Sequence, residues 1–337
     1  MVNVLVTGGA GFIGSNFITY AIDAHPDWQI TTLDKLTYAG RLENLRDVMD
    51  HPRHRFVRGD VADSSVAAPL VAESELVIHF AAETHVDRSI QDAGSFIQTD
   101  VYGTFVLLTA ARSAPQLQRF VQISTDEVYG TIPTGASTEH DELRPRNPYA
   151  ASKAGADRLA YSYWATYDVP VVITRASNNY GPRQFPEKLI PLFITNALDN
   201  RPVPLYGDGE HVRDWIHVLD HCRALDLLTT QGTPGEVYNI GGGNEMANTA
   251  ITNQILDLVG RPTSLIQHVP DRPGHDRRYR LDTTKLRALG WTPKHDFMDG
   301  LRAVVEWYRD NDSWWRPIKD EDQEFRSYYE KQYGGTG

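Results

Sequence analysis

The fold is indicated by the run Val2-Asn3-Val4-Leu5-Val6-Thr7-Gly8-Gly9-Ala10-Gly11-Phe12-Ile13-Gly14. An apolar, β-branched stretch leads directly into closely spaced glycines, and a helix-forming stretch follows, which predicts a strand, a tight turn and a helix. Glycine permits the turn and lets the backbone approach a pyrophosphate, while the helix N-terminus supplies amide donors. The run therefore predicts a dinucleotide-binding loop with Gly8, Gly11, Phe12, Ile13 and Gly14 as cofactor contacts.

Two acidic positions extend this prediction. Asp34 ends the second predicted strand, where a carboxylate can accept both ribose hydroxyls of an adenosine. A 2′-phosphate would meet like charge there, so NAD is favoured over NADP, although the adjacent Lys35 weakens the preference. Asp60-Val61 follows a third short strand and is placed to contact the adenine, but the pattern is equally typical of a turn carboxylate.

Short apolar runs alternate with longer amphipathic stretches through the first half of the chain. The predicted strands are residues 2–6, 30–33, 76–80, 120–123 and 171–174, and the main predicted helices are residues 95–112 and 148–167. This alternation predicts an α/β fold, a Rossmann-like doubly wound parallel sheet. Beyond residue 176 prolines and glycines become frequent, which predicts a smaller C-terminal α/β substrate-binding domain.

We therefore expect residues 1–176 to form the NAD-binding domain and residues 177–330 the substrate domain. A segment near residues 212–240 is expected to return to the first domain, because residues 236–240 form one more strand-like run.

Composition restricts the class of protein. The net charge of −11 over 337 residues argues against a general nucleic-acid surface, so an anionic ligand would need locally gathered cations. No apolar run is long enough for a membrane span, and the sequence opens on a strand rather than a signal region. The single cysteine, Cys222, excludes an internal disulfide and is interpreted as a packing residue. We expect a cytoplasmic protein with neither nucleic acid nor membrane as partner.

A tyrosine and a lysine with helical spacing indicate catalysis. Tyr149 and Lys153 are four residues apart and share one helix face. A tyrosine acting as a base near neutrality needs its pKa of roughly 10 lowered by about three units. Lys153, reinforced by a positively charged nicotinamide ring, is the expected source of that shift.

A second group of polar residues, Thr125-Asp126-Glu127, follows a predicted strand at the edge of the sheet where active sites gather. Adjacent carboxylates raise each other's pKa, and an acid with a raised pKa can donate a proton near neutrality. A solvated turn would be the simpler interpretation of this pair without Tyr149 and Lys153.

Taken together, the glycine loop, residues 124–130 and the Tyr-x-x-x-Lys pair resemble the nucleoside-diphosphate-sugar branch of the extended short-chain dehydrogenases/reductases. Within that branch the sequence is similar to the dTDP-glucose 4,6-dehydratases. The resemblance spans residues 4 to about 308 and includes further segments at residues 81–89, 178–182, 187–191, 206–209, 213–215 and 272–276. Epimerases of the branch typically lack the Asp-Glu pair, which makes it the most discriminating feature.

The resemblance implies a lyase reaction with bound NAD. Tyr149, with Thr125, would take the proton of the sugar 4-hydroxyl as C4 is oxidised, and Lys153 would assist. Glu127 would remove the C5 proton, and Asp126 would protonate the departing 6-hydroxyl. The cofactor contacts implied beyond those above are Lys35, Thr37, Ala81, Ala82, Thr99, Tyr149, Lys153 and Asn179.

The resemblance also implies a nucleotide-sugar site. Its residues would be Thr84, His85, Asn178, Lys188, Leu189, Pro204, Tyr206, Arg213, Asn248, Arg272 and His275. Arg213, Arg272 and His275 would supply positive charge to the diphosphate. One departure concerns Asp100, which occupies a position where the family usually has asparagine. Because a carboxylate has no amide donors, Asp100 is left out of the predicted site.

Several alternatives remain at this point. The chain could be a UDP-glucose 4,6-dehydratase, a 4-epimerase, a decarboxylase of a sugar acid or, from another class, a non-catalytic NAD-sensing scaffold. No metal site is expected, although His217 and His221 have the spacing of ligands on one helical turn. The helices at residues 95–112 and 148–167 match those that pair in dimeric relatives, so a homodimer is expected.

Overall fold

The computed structural model describes residues 1–334, which form twelve strands and thirteen α-helices. The strands are β1 Val2–Thr7, β2 Trp28–Asp34, β3 His54–Arg58, β4 Leu76–His79, β5 Arg119–Thr125, β6 Val171–Ala176, β7 Asn178–Tyr180, β8 Val203–Tyr206, β9 Val212–His217, β10 Val237–Ile240, β11 Glu245–Ala247 and β12 Ile266–Val269. The helices are α1 Phe12–Ala24, α2 Ser64–Ala72, α3 Val86–Gln91, α4 Ala93–Phe96, α5 Gly103–Ala111, α6 Pro148–Tyr167, α7 Leu189–Leu198, α8 Val218–Gln231, α9 Asn248–Val259, α10 Thr284–Ala288, α11 Phe297–Asp310, α12 Asp312–Asp320 and α13 Gln323–Tyr333.

Seven strands make one parallel sheet in the order β3-β2-β1-β4-β5-β6-β10. The chain runs outward from β1 in one direction and from β4 in the other, so the strand order reverses between these two strands. In open α/β sheets this reversal opens a crevice at the carboxyl ends of the strands. The α/β class with a Rossmann-like parallel sheet is confirmed. The five predicted strands are present, four of them with longer bounds and β4 one residue shorter.

The sheet is buried on both faces, which explains its near-continuous apolar strands. In β1, Val4 and Val6 pack in one apolar cluster with α1 and α8, while Leu5 packs in a second cluster with α2, α5 and α6. Cys222 of α8 is a buried free thiol in the first cluster, as its packing interpretation predicted.

A smaller set of elements lies beyond the carboxyl edge of the sheet. A three-stranded sheet has the order β11-β9-β7, and β8 pairs in parallel with β12. Their apolar core is shared with α7, α9, α11, α12 and α13 and is rich in aromatic side chains, including Trp314 and Trp315. The strand β10, which the sequence analysis expected to return to the first sheet, pairs with β6.

Two helices determine the geometry of the site. The helix α6 coincides with the predicted residues 148–167, because Asn147 caps its first turn through Ala150 and Pro148 occupies a first-turn position. The predicted single helix at residues 95–112 is interrupted instead. A π-helical segment, Ile97–Tyr102, joins α4 to α5, and its one buried residue is Asp100. Such segments widen the helix and occur often at functional sites.

Residues 1–334 contain no helix with the length and apolar character needed to cross a membrane.

Candidate active site

A single cleft runs along the carboxyl ends of β1, β4, β5 and β6 and continues beneath the smaller layer. Every residue predicted for catalysis, cofactor binding or substrate binding lines this cleft. The cofactor candidates form one end, the catalytic candidates lie in the middle, and the substrate candidates form the other end. The residues that sequence reasoning selected separately are therefore brought together by the fold.

The glycine loop packs closely between β1 and α1. Gly8 has a φ of 70°, and a Cβ atom there would lie 2.6 Å from the backbone nitrogen of Ala81. A Cβ atom on Gly14 would lie 2.5 Å from the carbonyl oxygen of Gly8. Because side chains are excluded at both positions, the backbone amides at the start of α1 are open to a pyrophosphate, as the dinucleotide-binding interpretation requires.

The buried carboxylate of Asp34 fits the ribose of NAD. Its oxygens accept hydrogen bonds from the backbone nitrogens of Ala10 (2.9 Å) and Leu36 (2.8 Å), which leaves further lone pairs free. The ammonium of Lys35 is 2.6 Å from the carboxylate of Asp60. Asp60 therefore offsets the positive charge of Lys35, which would otherwise attract a 2′-phosphate, and this favours NAD over NADP. Thr37, Val61, Ala81, Ala82 and Thr99 complete this end of the cleft.

The paired carboxylates begin a short 3₁₀ helix, Asp126–Tyr129, directly after β5. Thr125 caps it by accepting a hydrogen bond from the backbone of Glu127, and its hydroxyl lies 3.1 Å from Oδ1 of Asp126. Asp126 is 3% exposed, and its Oδ2 has no hydrogen-bond partner among residues 1–334. Burial, followed by the neighbouring Glu127, raises the pKa of Asp126 well above its usual range. The arrangement therefore favours a protonated Asp126 that can donate a proton.

Glu127 lies in a different setting from Asp126. Its carboxylate accepts from the amide of Asn147 (3.4 Å) and the phenol of Tyr279 (3.5 Å), and its side chain is less buried than that of Asp126. The two adjacent carboxyl groups thus differ in burial and in hydrogen bonding: Asp126 is enclosed with one unpaired oxygen, whereas Glu127 is partly exposed and accepts from two neutral donors.

Tyr149 and Lys153 lie on the face of α6 that closes the cleft. Burial raises the pKa of Tyr149 well above its usual range, and Glu127, Asp100 and Asp126 add to this. The ammonium of Lys153 donates to the carbonyl oxygen of Ile123 at 2.7 Å. Without the cofactor, burial and the three carboxyl groups therefore dominate; the predicted lowering by Lys153 together with the nicotinamide ring stays a prediction.

Cations at the substrate end are held in defined positions. Arg213 donates to the backbone oxygens of Val212 and Asp276 and lies over the ring of Tyr279. Arg272 donates to Asp87 at 3.0 Å, and its Nε has no partner in the described part of the chain.

His275 does not supply the expected positive charge. Burial, with Arg272 and Arg213 nearby, lowers the pKa of His275 to about 3, so the ring is neutral near pH 7. The prediction of a third cation is thus corrected, and His275 can offer only neutral hydrogen bonds. The nearby Arg277 and Arg278 form ion pairs with Asp208 and Glu245.

The remaining substrate candidates are ordered by local contacts. Lys188 donates to the hydroxyl of Thr84 at 3.2 Å, and His85 has an unusual φ of 113° for a residue other than glycine. Non-glycine residues with positive φ concentrate at functional sites. Leu189 begins α7, and Pro204 and Tyr206 belong to β8.

Three asparagines also line the cleft. The amide oxygens of Asn178 and Asn248 are buried and have no hydrogen-bond partner within residues 1–334. Asn179 is bonded to His221 at 2.9 Å. The first two amides therefore have hydrogen-bonding capacity left for a ligand.

Sequence reasoning did not assign several residues that the fold brings to the site. Asp87 accepts from Arg272, Tyr206 and Tyr328, and Glu187 is a buried partner of Arg88 with one oxygen unpaired among the described residues. Both acids lie inside segments used for the resemblance, so their charge was the available signal.

The C-terminal helix α13 was also missed. Tyr333 lines the cleft, and Gln332 donates to the hydroxyl of Tyr206 at 2.7 Å. The helix lies beyond the resembling segments, and the available signal of its packing was its four aromatic residues, Phe325, Tyr328, Tyr329 and Tyr333.

Two groups of histidines were considered as possible ligands of a metal ion. His217 stacks on His295, whereas His221 points to Asn179, so the spacing at 217 and 221 does not bring these rings together. His211, Asp271 and His275 do place ligand atoms within 4.8 Å of one another. The two rings stack at 3.7 Å and 13°, and Asp271 is 2.6 Å from His275. Parallel rings do not point their nitrogens at one centre, and hydrogen bonds to Asp271 account for the cluster.

Comparison with known proteins gives a consistent result. A family model described as GDP-mannose 4,6 dehydratase matches residues 5–304. A dTDP-glucose 4,6-dehydratase of Streptomyces niveus is 53% identical over 325 residues, which is 95% of this chain and 96% of the relative. The crystal structure of the Streptomyces venezuelae dTDP-glucose 4,6-dehydratase with NAD and TDP bound is 51% identical, with a TM-score of 0.92 over 94% of this chain and 100% of that chain. The Bacillus anthracis dTDP-glucose 4,6-dehydratase in complex with NAD is 46% identical, with a TM-score of 0.88 over 95% of this chain and 100% of that chain.

Proposed function

This chain belongs to the dTDP-glucose 4,6-dehydratase family, and from that premise we propose how its own residues carry out the reaction. The protein is an NAD-dependent lyase that removes water from dTDP-glucose to give dTDP-4-keto-6-deoxyglucose. The observation that carries the residue assignment is the buried Asp126, whose pKa is raised, beside the hydrogen-bonded Glu127 and opposite Tyr149.

The cofactor would be held by the glycine loop through its pyrophosphate and by Asp34 through its ribose. NAD supplies a hydride acceptor and donor within the site, so C4 is oxidised first and C6 reduced last without an external oxidant. We assign this binding to residues 1–176 with the returning segment near residues 212–240. The substrate would be bound by residues 177–330 and, beyond that predicted limit, by α13.

The first step needs a base at the sugar 4-hydroxyl. Tyr149 accepts that proton, and Thr125 holds the same hydroxyl. Lys153, fixed on the carbonyl oxygen of Ile123, together with the positively charged nicotinamide ring of bound NAD, would favour the ionised form of Tyr149 that this step requires. Protonation of Asp126 helps this step, because it removes one of the negative charges that raise the pKa of Tyr149.

Elimination uses the two carboxyl groups. The 4-keto group acidifies the C5 hydrogen, Glu127 removes that proton, and Asp126 donates a proton to the 6-hydroxyl, which leaves as water. Glu127 then returns its proton to C5 as C6 is reduced. General acid and base catalysis of this kind contributes about 10²- to 10⁴-fold per group.

One proton must move before the next cycle. Tyr149 ends the reaction protonated and Asp126 ends it ionised. The hydroxyl of Thr125 is 3.1 Å from Oδ1 of Asp126 and hydrogen-bonds Tyr149. We assign to Thr125 the relay that passes the proton from the phenol to the carboxylate.

The test of the function compares two nucleotide sugars. We expect dTDP-glucose to lose water with a kcat/KM about 10-fold or more above that of UDP-glucose. UDP-glucose lacks the base methyl group, worth about 1–3 kcal/mol, and carries an additional 2′-hydroxyl. Mass spectrometry detects the product by the loss of one water, and Tyr149→Phe serves as the inactive control. A preference for UDP-glucose would overturn the substrate assignment, and no dehydration of either sugar would overturn the activity.

We also propose that the protein is a homodimer. Large apolar side chains are exposed along the predicted pairing surface, at Ile97, Tyr102, Phe105, Tyr161 and Tyr167. Exposed apolar patches of this kind are typical of interaction sites.

A reducing cytoplasm, compatible with the buried free thiol of Cys222, is proposed as the location of the protein.

Light scattering tests the dimer. The wild type is expected at twice the chain mass of 37.9 kDa, and Phe105→Glu at the single chain mass. Leu219→Glu, at an exposed apolar residue elsewhere, is the control and should remain dimeric. A wild type of single chain mass would refute the proposal.

A further inference from the structure

Asp100, where asparagine was expected, is a buried acid at the back of the catalytic helix. It is 1% exposed and projects from the π-helical segment Ile97–Tyr102. Its Oδ1 accepts from the backbone nitrogen of Glu83 at 2.8 Å, in the loop that follows β4 at the cofactor end. Its Oδ2 lies 2.6 Å from the hydroxyl of Ser152, which stands between Tyr149 and Lys153 on α6. Asp100 therefore links the cofactor loop to the catalytic helix.

The hydrogen bonds around Ser152 can accommodate a proton on Asp100. The hydroxyl of Ser152 is also 2.8 Å from the carbonyl oxygen of Tyr149, and it has one hydrogen to donate. If Asp100 is ionised, the single hydrogen of the Ser152 hydroxyl can bond only one of two acceptors, Oδ2 of Asp100 or the carbonyl oxygen of Tyr149. If Oδ2 carries a proton, Asp100 donates to Ser152 and Ser152 donates to Tyr149, so all three contacts are satisfied at once.

The charges facing Asp100 leave the neutral and ionised forms close in free energy. Burial raises the pKa of Asp100 to about 6, and the negative charge of Glu83 acts in the same direction. The positive charge of Lys153 and the hydrogen bonds from Ser152 and from the backbone nitrogen of Glu83 act in the opposite direction. Tyr149 faces Glu127, Asp126 and Thr125 besides Asp100, and Lys153 faces Asp100 and Asp157. Lys153 also faces the neutral, buried ring of His79. Ionised Asp100 raises the pKa of both Tyr149 and Lys153.

We propose that Asp100 is a positioning residue that holds an exchangeable proton between the cofactor loop and α6, and that its charge sets the pH range in which Tyr149 and Lys153 work. The second half of this proposal rests on the catalytic roles proposed above for those two residues. An asparagine at this position would reproduce only the hydrogen bonds of the protonated Asp100 carboxyl group, because its amide nitrogen would donate to Ser152 and its oxygen would accept from the backbone nitrogen of Glu83. The chain thus has a titrating group where asparagine would give a fixed one.

Asp100→Asn is the decisive variant, and Asp23→Asn, which removes one exposed carboxylate on α1, is its matched control. We expect both limbs of the pH profile of kcat with dTDP-glucose to move to lower pH by about one unit in Asp100→Asn. A lost negative charge lowers the pKa of Tyr149 and of Lys153 together, whereas a loss of packing would lower kcat without moving the limbs. Unmoved limbs would overturn the catalytic half of the proposal.

Thermal unfolding tests the proton itself and does not depend on activity. The folded-state pKa of Asp100 is above that of the unfolded chain, so its contribution to stability is present at low pH and lost as pH rises through about 6. Asp100→Asn has no such loss. Between pH 4.5 and pH 8, the Tm of Asp100→Asn should therefore rise by roughly 4 °C relative to that of the wild type. This value follows from a difference of about two units between the folded and unfolded pKa of Asp100 and from the usual entropy of unfolding for a chain of this length.

Ser152→Ala provides a second variant if Asp100→Asn does not fold. It keeps the carboxyl but removes a donor to its ionised form, so the pH at which stability falls should move upward rather than disappear. A Tm difference between wild type and Asp100→Asn that is constant with pH, or an unmoved midpoint in Ser152→Ala, would overturn the proton-holding role. A wild type that does not turn over dTDP-glucose would refute the proposed function and leave this stability test intact.

Discussion

Replacing Asp126 by asparagine separates acid catalysis from the other steps. The amide is nearly the size of the carboxyl group and keeps an oxygen acceptor for the hydroxyl of Thr125, which is 3.1 Å from Oδ1. Only the transferable proton on the buried carboxyl is lost. A positioned general acid contributes about 10²- to 10⁴-fold, which corresponds to roughly 3–5.5 kcal/mol of the activation free energy. We therefore expect kcat to fall by that factor while the fold and the binding of NAD are retained.

The assay follows each step in deuterated water. Asp126→Asn should still exchange the C5 proton through Glu127, so recovered substrate carries deuterium at C5 although little water is lost. Glu127→Gln is the matched variant and should return substrate without deuterium at C5. The acid form of Asp126 is the active form, so the part of the high-pH decline of wild-type kcat that follows the raised pKa of Asp126 should be absent from Asp126→Asn, while the part that follows Lys153 should remain. Turnover of Asp126→Asn within a few-fold of the wild type would refute the acid role.

Three further predictions concern binding. Asp34→Ala should weaken NAD binding by about 10- to 100-fold, because a charged hydrogen-bond acceptor worth about 1.5–3 kcal/mol is removed; calorimetric titration of cofactor-free protein measures this, and an unchanged affinity would contradict the ribose assignment. Arg272→Gln should raise KM for dTDP-glucose by about 10-fold or more with a smaller change in kcat, because Arg272, held by an ion pair with the buried Asp87, would lose its contact with the diphosphate. Steady-state kinetics measure this, and an unchanged KM would exclude a diphosphate contact. Removal of residues 323–337 should raise KM and leave NAD binding intact, because Tyr206 loses its partners on α13; kinetics that match the full chain would show that this helix is dispensable for substrate binding.

Local signals in the sequence were sufficient for the sheet and for the main catalytic helix. The apolar strands, the glycine loop and the Asn147-Pro148 start of α6 act over a few residues, and all of them appear in the structure. The resemblance added the substrate end, and each of its residues lines the same cleft.

What sequence reasoning missed depends on contacts between distant segments. The neutral state of His275 follows from burial beside Arg272 and Arg213. The raised pKa of Tyr149 follows from burial and from carboxyl groups on two other segments, at residues 126–127 and at Asp100. The π-helical turn at Asp100 leaves no local pattern, because its partners are Glu83 and Ser152. The contribution of α13 to the cleft likewise arises only when the chain folds back on Tyr206.

The most direct test of the account is proton NMR of the purified protein with dTDP-glucose in deuterated water, without added NAD. We expect a 4-keto-6-deoxy product with deuterium at C5, because bound NAD is regenerated within the cycle and Glu127 exchanges its proton with solvent before returning it. A protein that carries NAD yet forms no product would contradict the proposed function. A product without deuterium at C5 would contradict the proton path through Glu127.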